Sequence, residues 1–381
     1  MTVRIATFNA ENLMARFDFS GWRQDRRRDR TIAMVDVESE KEYKALERAR
    51  VIAHADDARQ MTALAIADCA ADIVCLQEVE DLHTLEAFED NYLERMTGLT
   101  YPHKIWRQGN DGRGIDVALM ARERTADGRE IEIVRVKSHR KSTFKDLDVH
   151  TRRLAQMGYE PHERVFRRDC LEVDLRIGGK MLTLFVCHFK SMGSSKEDGV
   201  SGRDYTMPVR FAEAQGVRRI VERKFGTERA PDMRWMICGD LNDYRERLVV
   251  SGSKSEGYRF NLVPEPTSGL EPLFTDGFAM DLVQRRSGDN RWTLYYAAGG
   301  VSDLSEVEER ELRHLVQLDY FMASPALASK NGKAVPEIIR MGQPYRTVFP
   351  PHQDVPRYPR TGWDRPKASD HCPVVVSLKM L

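Results

Sequence analysis

The chain has no excess of charge of either sign: 59 Lys and Arg are balanced by 59 Asp and Glu. A field spanning the whole molecule therefore offers no attraction for nucleic acid, and any such attraction must come from local patches. No apolar run approaches the length of a membrane-spanning helix, and no amphipathic aromatic helix marks a membrane-surface protein. The first residues, MTVRIATFNAENL, have the pattern of a strand and lack the basic leader and apolar stretch of a signal peptide, so a cytoplasmic protein is expected. Cysteine is scarce. Cys69, Cys75, Cys170, Cys187, Cys238 and Cys372 sit mostly inside apolar segments with no CxxC spacing. That pattern predicts reduced core thiols, with no disulfides, and argues against zinc. Internal repeats and composition breaks are absent too. One domain over 1–381 is expected, with loop insertions at about 17–40, 245–270, 298–314 and 335–368.

What the chain does have is a series of short apolar runs. Its 41% apolar content suffices for a sizeable core. Strands are predicted at 3–8, 72–77, 114–121, 131–136, 169–176 and 181–188, in MRWMICGD, and at 316–322 and 373–379. Helical patterns cover roughly 40–70 and 207–225, the second with Pro208 near its start. Many short strands with few long helices predict an α/β fold of two packed sheets flanked by helices.

Five of the runs end in polar residues: TFNAEN (Asn9, Glu11), VCLQEVE (Glu78), FVCHFKS (His188), MICGDLND (Asp240, Asn242) and SDHCPVVV (Asp370, His371). Strands built only for packing do not normally end this way, so several strand ends are expected to meet at one acidic pocket. Hydrolysis of a phosphodiester needs a cation to neutralise the phosphoryl oxygens and a group to orient water in line with the leaving oxygen. Mg2+ or Mn2+ suits that task, and both prefer carboxylate and amide oxygens, which makes Glu78 and Asp370 ligand candidates. In GDLND, residues two apart in extended chain face the same way, so Asp240 and Asn242 point together while Gly239 gives the backbone room. The same parity pairs Asn9 with Glu11 and His188 with Lys190. Each motif also has a structural alternative, such as a Gly-Asp turn or a hydrogen-bonded histidine. Their joint occurrence at strand ends carries the argument.

On these motifs the chain resembles the endonuclease/exonuclease/phosphatase superfamily. The blocks TFNAENL, LQEVE, GIDVALM, CHFKS, GDLND, LDYFMAS and SDHCPV occur in that family's order over residues 3–379, GDLND and SDHCPV being the most specific. The resemblance implies a four-layer α/β-sandwich of two packed mixed β-sheets flanked by helices, and a metal-dependent hydrolase of phosphoric esters. It implies that Glu78 binds the metal with help from Asn9 and Asp370, and that Glu11 lies nearby. Asp240 would orient or deprotonate the attacking water, with Asn242 fixing it, and His371 would contact the scissile phosphate. Asp319 would hold the His371 tautomer, His188 would donate to a non-bridging oxygen, and Asp116 would orient His188.

Fold alone does not choose among nucleic acids, phosphoinositides, phospholipid head groups and nucleotides. The basic runs 135–145 and 23–30 lean toward nucleic acid. So does the similarity of CHFKSMGSS and MPVRFAEAQGVRRI to bacterial exported nucleases, which implies that Lys190 and Arg210 line a phosphate channel. A nuclease acting on DNA or RNA is therefore expected. A phosphatase or phosphodiesterase of a small phosphorylated molecule or phospholipid head group stays open, as does a non-catalytic phosphate-binding member. The sequence says nothing of oligomeric state.

Overall fold

The structure is a computed structural model and describes residues 2–14, 39–40, 43, 56–193, 199–297 and 313–380. Sixteen strands occur among them. The first half holds β1 (Thr2–Leu13), β2 (Ile73–Val79), β3 (His103–Trp106), β4 (Asp116–Ala121), β5 (Ile131–Ser138), β6 (Cys170–Ile177) and β7 (Lys180–His188). Then come β8 (Trp235–Asp240), β9 (Glu246–Ser253), β10 (Gly257–Pro264), β11 (Met280–Asp281) and β12 (Leu294–Tyr296). The last are β13 (His314–Val316), β14 (Asp319–Ala323), β15 (Glu337–Ile338) and β16 (Val374–Lys379). Two helices matter most, α1 (Asp56–Asp68) and α2 (Gly202–Phe225).

Two six-stranded mixed sheets run in the orders β15-β16-β1-β2-β4-β3 and β11-β14-β8-β7-β6-β5. Each has one parallel pair near its centre, β1 with β2 and β7 with β8; the other pairs are antiparallel. The parallel pairs are crossovers through α1 and α2, the connection that parallel strands require. Alternate residues of each sheet, such as Ile5, Cys75, Leu119, Val173, Leu184 and Cys238, face the other sheet and form the central core. The opposite faces pack on helices: Phe8, Leu76 and Met120 with Met61 and Ile66 of α1, and Phe185, Trp235 and Ile237 with Val209, Ala212 and Val217 of α2. This is the expected four-layer α/β-sandwich. Burial on both faces explains why the strands are nearly continuous apolar runs.

A third, four-stranded sheet, β10-β9-β13-β12, is a correction to the sequence reading. Residues 245–270, expected as a loop, form the β9–β10 hairpin. Most of β10 is solvent-exposed, so polar residues dilute its strand signal. The run 316–322 is not one strand. It divides at Gln317 and Leu318, where Thr293 Oγ1 accepts the Leu318 and Asp319 N–H groups, and the chain passes from the third sheet into the second. Helix α2 starts at Gly202, before the expected 207, because Ser201 caps it by accepting the Asp204 N–H; Pro208 lies inside. Of the pattern at 40–70, the stretch Asp56–Asp68 is helical; most of 40–55 lies outside the described residues, as do 17–38 and 298–312. Residues 335–368 are irregular apart from β15, as expected. All six cysteines are free and buried. Among the described residues no helix is long and apolar enough to cross a membrane.

Candidate active site

Ligands of open α/β sheets collect at the carboxyl ends of parallel strands, and here the two parallel pairs deliver their ends to one place. In the second sheet, backbone register sets His188, Asp240 and Asp319 side by side on β7, β8 and β14. Adjacent strands lie about 4.8 Å apart, so three side chains in one row are within mutual reach. Gly239 makes the row possible. Its φ is 137°, and a Cβ there would sit 1.9 Å from the Cys187 carbonyl oxygen.

The first sheet contributes through irregularities. The β1–β2 register shifts after Asn9, and Glu11 and Asn12 have φ of 46° and 57°. The β2–β4 register shifts between Gln77 and Val79, with Glu78 at φ 65°. Such bulges re-aim a side chain at a rim. Glu78 is turned inward, where its Oε2 accepts the Asn12 N–H at 2.9 Å.

Asp240 Oδ2 is the point of convergence. It accepts Nδ2–H bonds from Asn9 and Asn242, each at 3.0 Å, and lies 3.5 Å from His188 Nε2 and 3.7 Å from His371 Nε2. Its Oδ1 accepts the Asn242 N–H at 2.9 Å. Glu78 Oε1 stands 3.9 Å from His188 Nε2. The SDHC segment enters from the other side: Ser369 Oγ donates to the Asn9 carbonyl at 2.7 Å, and His371 Nδ1 lies 2.8 Å from Asp319 Oδ2.

Burial sets the proton affinities. It pushes Asp240 up to about 7, with Asp319 adding to the rise and His371 opposing it. Burial and then the neighbouring Asp370 raise Glu78. Burial opposes charge on His371 as well, but Asp319 and Asp240 outweigh it and hold the imidazole well above its ordinary range. A protonated His371 donates Nδ1–H to Asp319 and presents Nε2–H to the cleft. His188 goes the other way, held well below its usual range by burial and by Arg168 and Arg113. Burial also opposes ionisation of Asp370; Lys367, His371 and Arg365 prevail and lower it.

These groups line a cleft of about 790 Å³, walled by both large sheets, the start of α2 and the third sheet. Among the described residues no three His, Cys, Asp or Glu side chains form a ready-made metal cage. A small hard cation that keeps most of its water needs only one or two carboxylates. Glu78, Asp370 and the Asn9 amide oxygen fit that case: all are hard oxygen donors, and the repulsion between the two carboxylates is the charge excess a cation would relieve.

Other sequence expectations land elsewhere. Arg210 does not line the cleft. It is fully buried, with Nε 3.1 Å from Asp243 Oδ2 and further bonds to Thr206 and backbone carbonyls, so it joins α2 to the GDLND turn. Lys190 is not in the cleft either; β7 ends at His188, parity lapses, and its Nζ bonds the Ser191 carbonyl at 3.1 Å. Asp116 is buried beside Gly109, and no hydrogen bond joins it to the His188 ring: Asp116 Oδ1 and His188 Nδ1 are both buried without a partner among the described residues. Glu11 borders the cleft with its carboxylate already committed to Arg365, Lys367 and the Asp370 N–H. The basic run 135–145 contributes nothing to the cleft wall, and 23–30 lies outside the described residues. Sequence reasoning missed the wall cations Arg113, Arg168 and Arg203. Arg168 follows another arginine just before β6, and nothing in that dibasic pair distinguishes it from a solvated one.

The fold and this cluster define a hydrolase of phosphoester bonds. The profile described as "Endonuclease/Exonuclease/phosphatase family" matches residues 50–371, and the chain belongs to that family. Divalent-metal dependence is general among its members. No curated protein matches the sequence. Similar solved structures include truncated Caenorhabditis elegans TDP2, at 14% identity over 99% of this chain and 98% of that one, with a TM-score of 0.47. The Bacteroides thetaiotaomicron mannosyl-6-phosphatase is 11% identical over 98% of each chain, with a TM-score of 0.48. The human Nocturnin catalytic domain with bound sulfate is 14% identical over 100% of this chain and 95% of that one, with a TM-score of 0.48.

Proposed function

We propose that this protein is a nuclease that hydrolyses phosphodiesters of DNA or RNA by in-line attack of water and uses Mg2+ or Mn2+. The observation that carries this reading is the meeting of both sheets at Asp240 Oδ2, which accepts hydrogen bonds from Asn9 and Asn242 and lies 3.5 and 3.7 Å from the Nε2 atoms of His188 and His371. Such an oxygen is held in place before substrate arrives.

In this reading Asp240 accepts the proton of the attacking water, and Asn242 and Asn9 fix the carboxylate that does so. His371, charged and braced by Asp319, donates Nε2–H to a phosphoryl oxygen as charge builds there. His188, on the neighbouring strand, contacts a second oxygen. Glu78 and Asp370, with Asn9, hold the cation, which when bound supplies charge neutralisation at the phosphoryl group. Arg113 and Arg168, which share Asp111 as a counter-ion, leave an excess of positive charge at the same wall.

The preference for nucleic acid rests on the open cleft, in which Arg113, Arg168, Arg203 and Arg247 stand among the carboxylates of the wall. The balanced net charge favours a second reading, a small phosphorylated molecule as substrate. The test is a panel of bis-p-nitrophenyl phosphate, plasmid DNA, RNA, inositol phosphates and sphingomyelin, each with magnesium and with EDTA. The expected result is turnover of DNA or RNA that EDTA abolishes and that Asp240→Asn lowers by about 10²–10⁴-fold. Turnover of inositol phosphates alone would replace the nuclease reading, and full activity in EDTA or in Asp240→Asn would remove this site from the chemistry.

A further inference from the structure

The third sheet contributes side chains to the cleft that the chemistry above does not use. Tyr296 on β12 and His314 on β13 are direct cross-strand partners. Their rings stack, with centroids 4.9 Å apart and planes inclined by 26°. His314 also lies 6.1 Å from the Tyr244 ring, and the Arg203 guanidinium stands 4.3 Å over Tyr244. All four side chains line the cleft that holds Asp240 and His371.

We propose that Tyr296 and His314 form a stacking platform for the nucleobase next to the scissile phosphate. The proposal rests on the nuclease reading and names where its substrate lies. Strand parity fixes the direction of the ring. Leu294 and Tyr296 share the cleft side of β12, while Tyr295 between them is buried in the core with Trp292 and Leu315. Leu294 is itself bridged to His371. Two residues of strand span about 7 Å, so Tyr296 follows the catalytic histidine at the span of one nucleotide. Tyr296 is 46% exposed, in contrast to the buried Tyr244 and Tyr295, so a face of the stack is open to an incoming ring.

The surroundings favour a base over a hexose. Sugar recognition needs acceptors that grip hydroxyls. The carboxylate of Glu265 is already taken by Arg247, at 2.7 Å, and by Arg203, at 3.4 Å. Leu294, Leu318 and Met192 add apolar surface to this wall, and the Asp204 carboxylate on it already accepts from Ser201 Oγ at 2.8 Å. A flat π-surface edged by arginine is the chemistry that holds unpaired bases without reading their identity.

The test uses a single-stranded oligonucleotide with one cleavable phosphodiester, its other linkages blocked as phosphorothioates. The base on either side of the cleavable bond is kept, removed as an abasic site, or replaced by 2-aminopurine. Wild-type kcat/KM should fall by about 5- to 100-fold when the base on one side is missing. Tyr296→Ala should erase that preference and Tyr296→Phe should keep it. In EDTA, 2-aminopurine fluorescence should be quenched on binding to wild type and to Tyr296→Phe, and much less on binding to Tyr296→Ala or His314→Ala. Equal quenching by all four proteins would overturn the platform, as would cleavage indifferent to the missing base. Hydrolysis of a sugar phosphate whose KM rises in Tyr296→Ala, with no quenching by wild type, would also overturn it. Quenching without hydrolysis of any nucleic acid would sink the nuclease reading and support the platform, so the two fail separately.

Discussion

Replacing Asp319 with asparagine tests whether the histidine of the SDHC segment works through its buried partner. The carboxylate is wholly inaccessible and 2.8 Å from His371 Nδ1. Asparagine keeps the shape and an acceptor oxygen but removes the charge that holds the imidazole protonated. A hydrogen bond to a charged group contributes about 1.5–3 kcal/mol, roughly twice a neutral one. At about 1.4 kcal/mol per factor of ten, its full loss in the transition state slows turnover by about 10- to 150-fold. Initial rates on the best substrate of the panel, with circular dichroism to confirm the fold, measure it. The sharper check is a double-mutant cycle. In a His371→Ala background, itself slowed by about 10²–10⁴-fold, Asp319→Asn should cost nothing further, because the ring it serves is gone. Additive losses, or a folded Asp319→Asn enzyme within about two-fold of wild type, would refute the claim that Asp319 acts through His371.

The buried Arg210–Asp243 pair predicts a different signature. Arg210→Met removes one of two guanidinium partners of Asp243, which keeps Arg203 at 2.8 Å, and should lower stability by about 1.5–3 kcal/mol in urea titrations; unchanged stability with a raised KM would return Arg210 to the phosphate channel. A second expectation concerns acid. Burial works against ionisation of Glu172, but His139 and Lys224, each 2.8 Å away, outweigh it and depress its pKa to about 2. A depressed carboxylate stabilises the fold above its ordinary range near 4.5, and that contribution fades as pH falls toward 2. Glu172→Gln should therefore cost up to about 3 kcal/mol at pH 7 and little near pH 2; an equal cost at both would refute it.

Much of this was legible in the sequence because strands buried on both faces leave long apolar runs that stop abruptly at polar residues. WMIC before GD and VVV after SDHCP mark β8 and β16 and place Asp240 and His371 at their ends. The parity argument for Asp240 and Asn242 reached a correct pairing by the wrong geometry. The strand ends at Asp240, Asn242 has φ 51°, and the two side chains meet through a tight turn in which Asp240 accepts the Asn242 N–H. Parity failed outright for Lys190, two residues past the end of β7. The third sheet was illegible because its outer strand is wet on both faces, and with it went Tyr296. Arg210 misled because a buried arginine and a phosphate-binding arginine look alike until the partner is seen.

The Asn9–Asp240 hydrogen bond joins residues from different sheets, and its neighbours come from both. No half of the sandwich owns the reaction. A slight slip of one layer across the other would leave nearly every helix and strand intact while scattering the reactive groups. During gradual unfolding, turnover should therefore vanish before the far-ultraviolet spectrum changes, and the enzyme's own rate becomes a gauge of how the layers are seated.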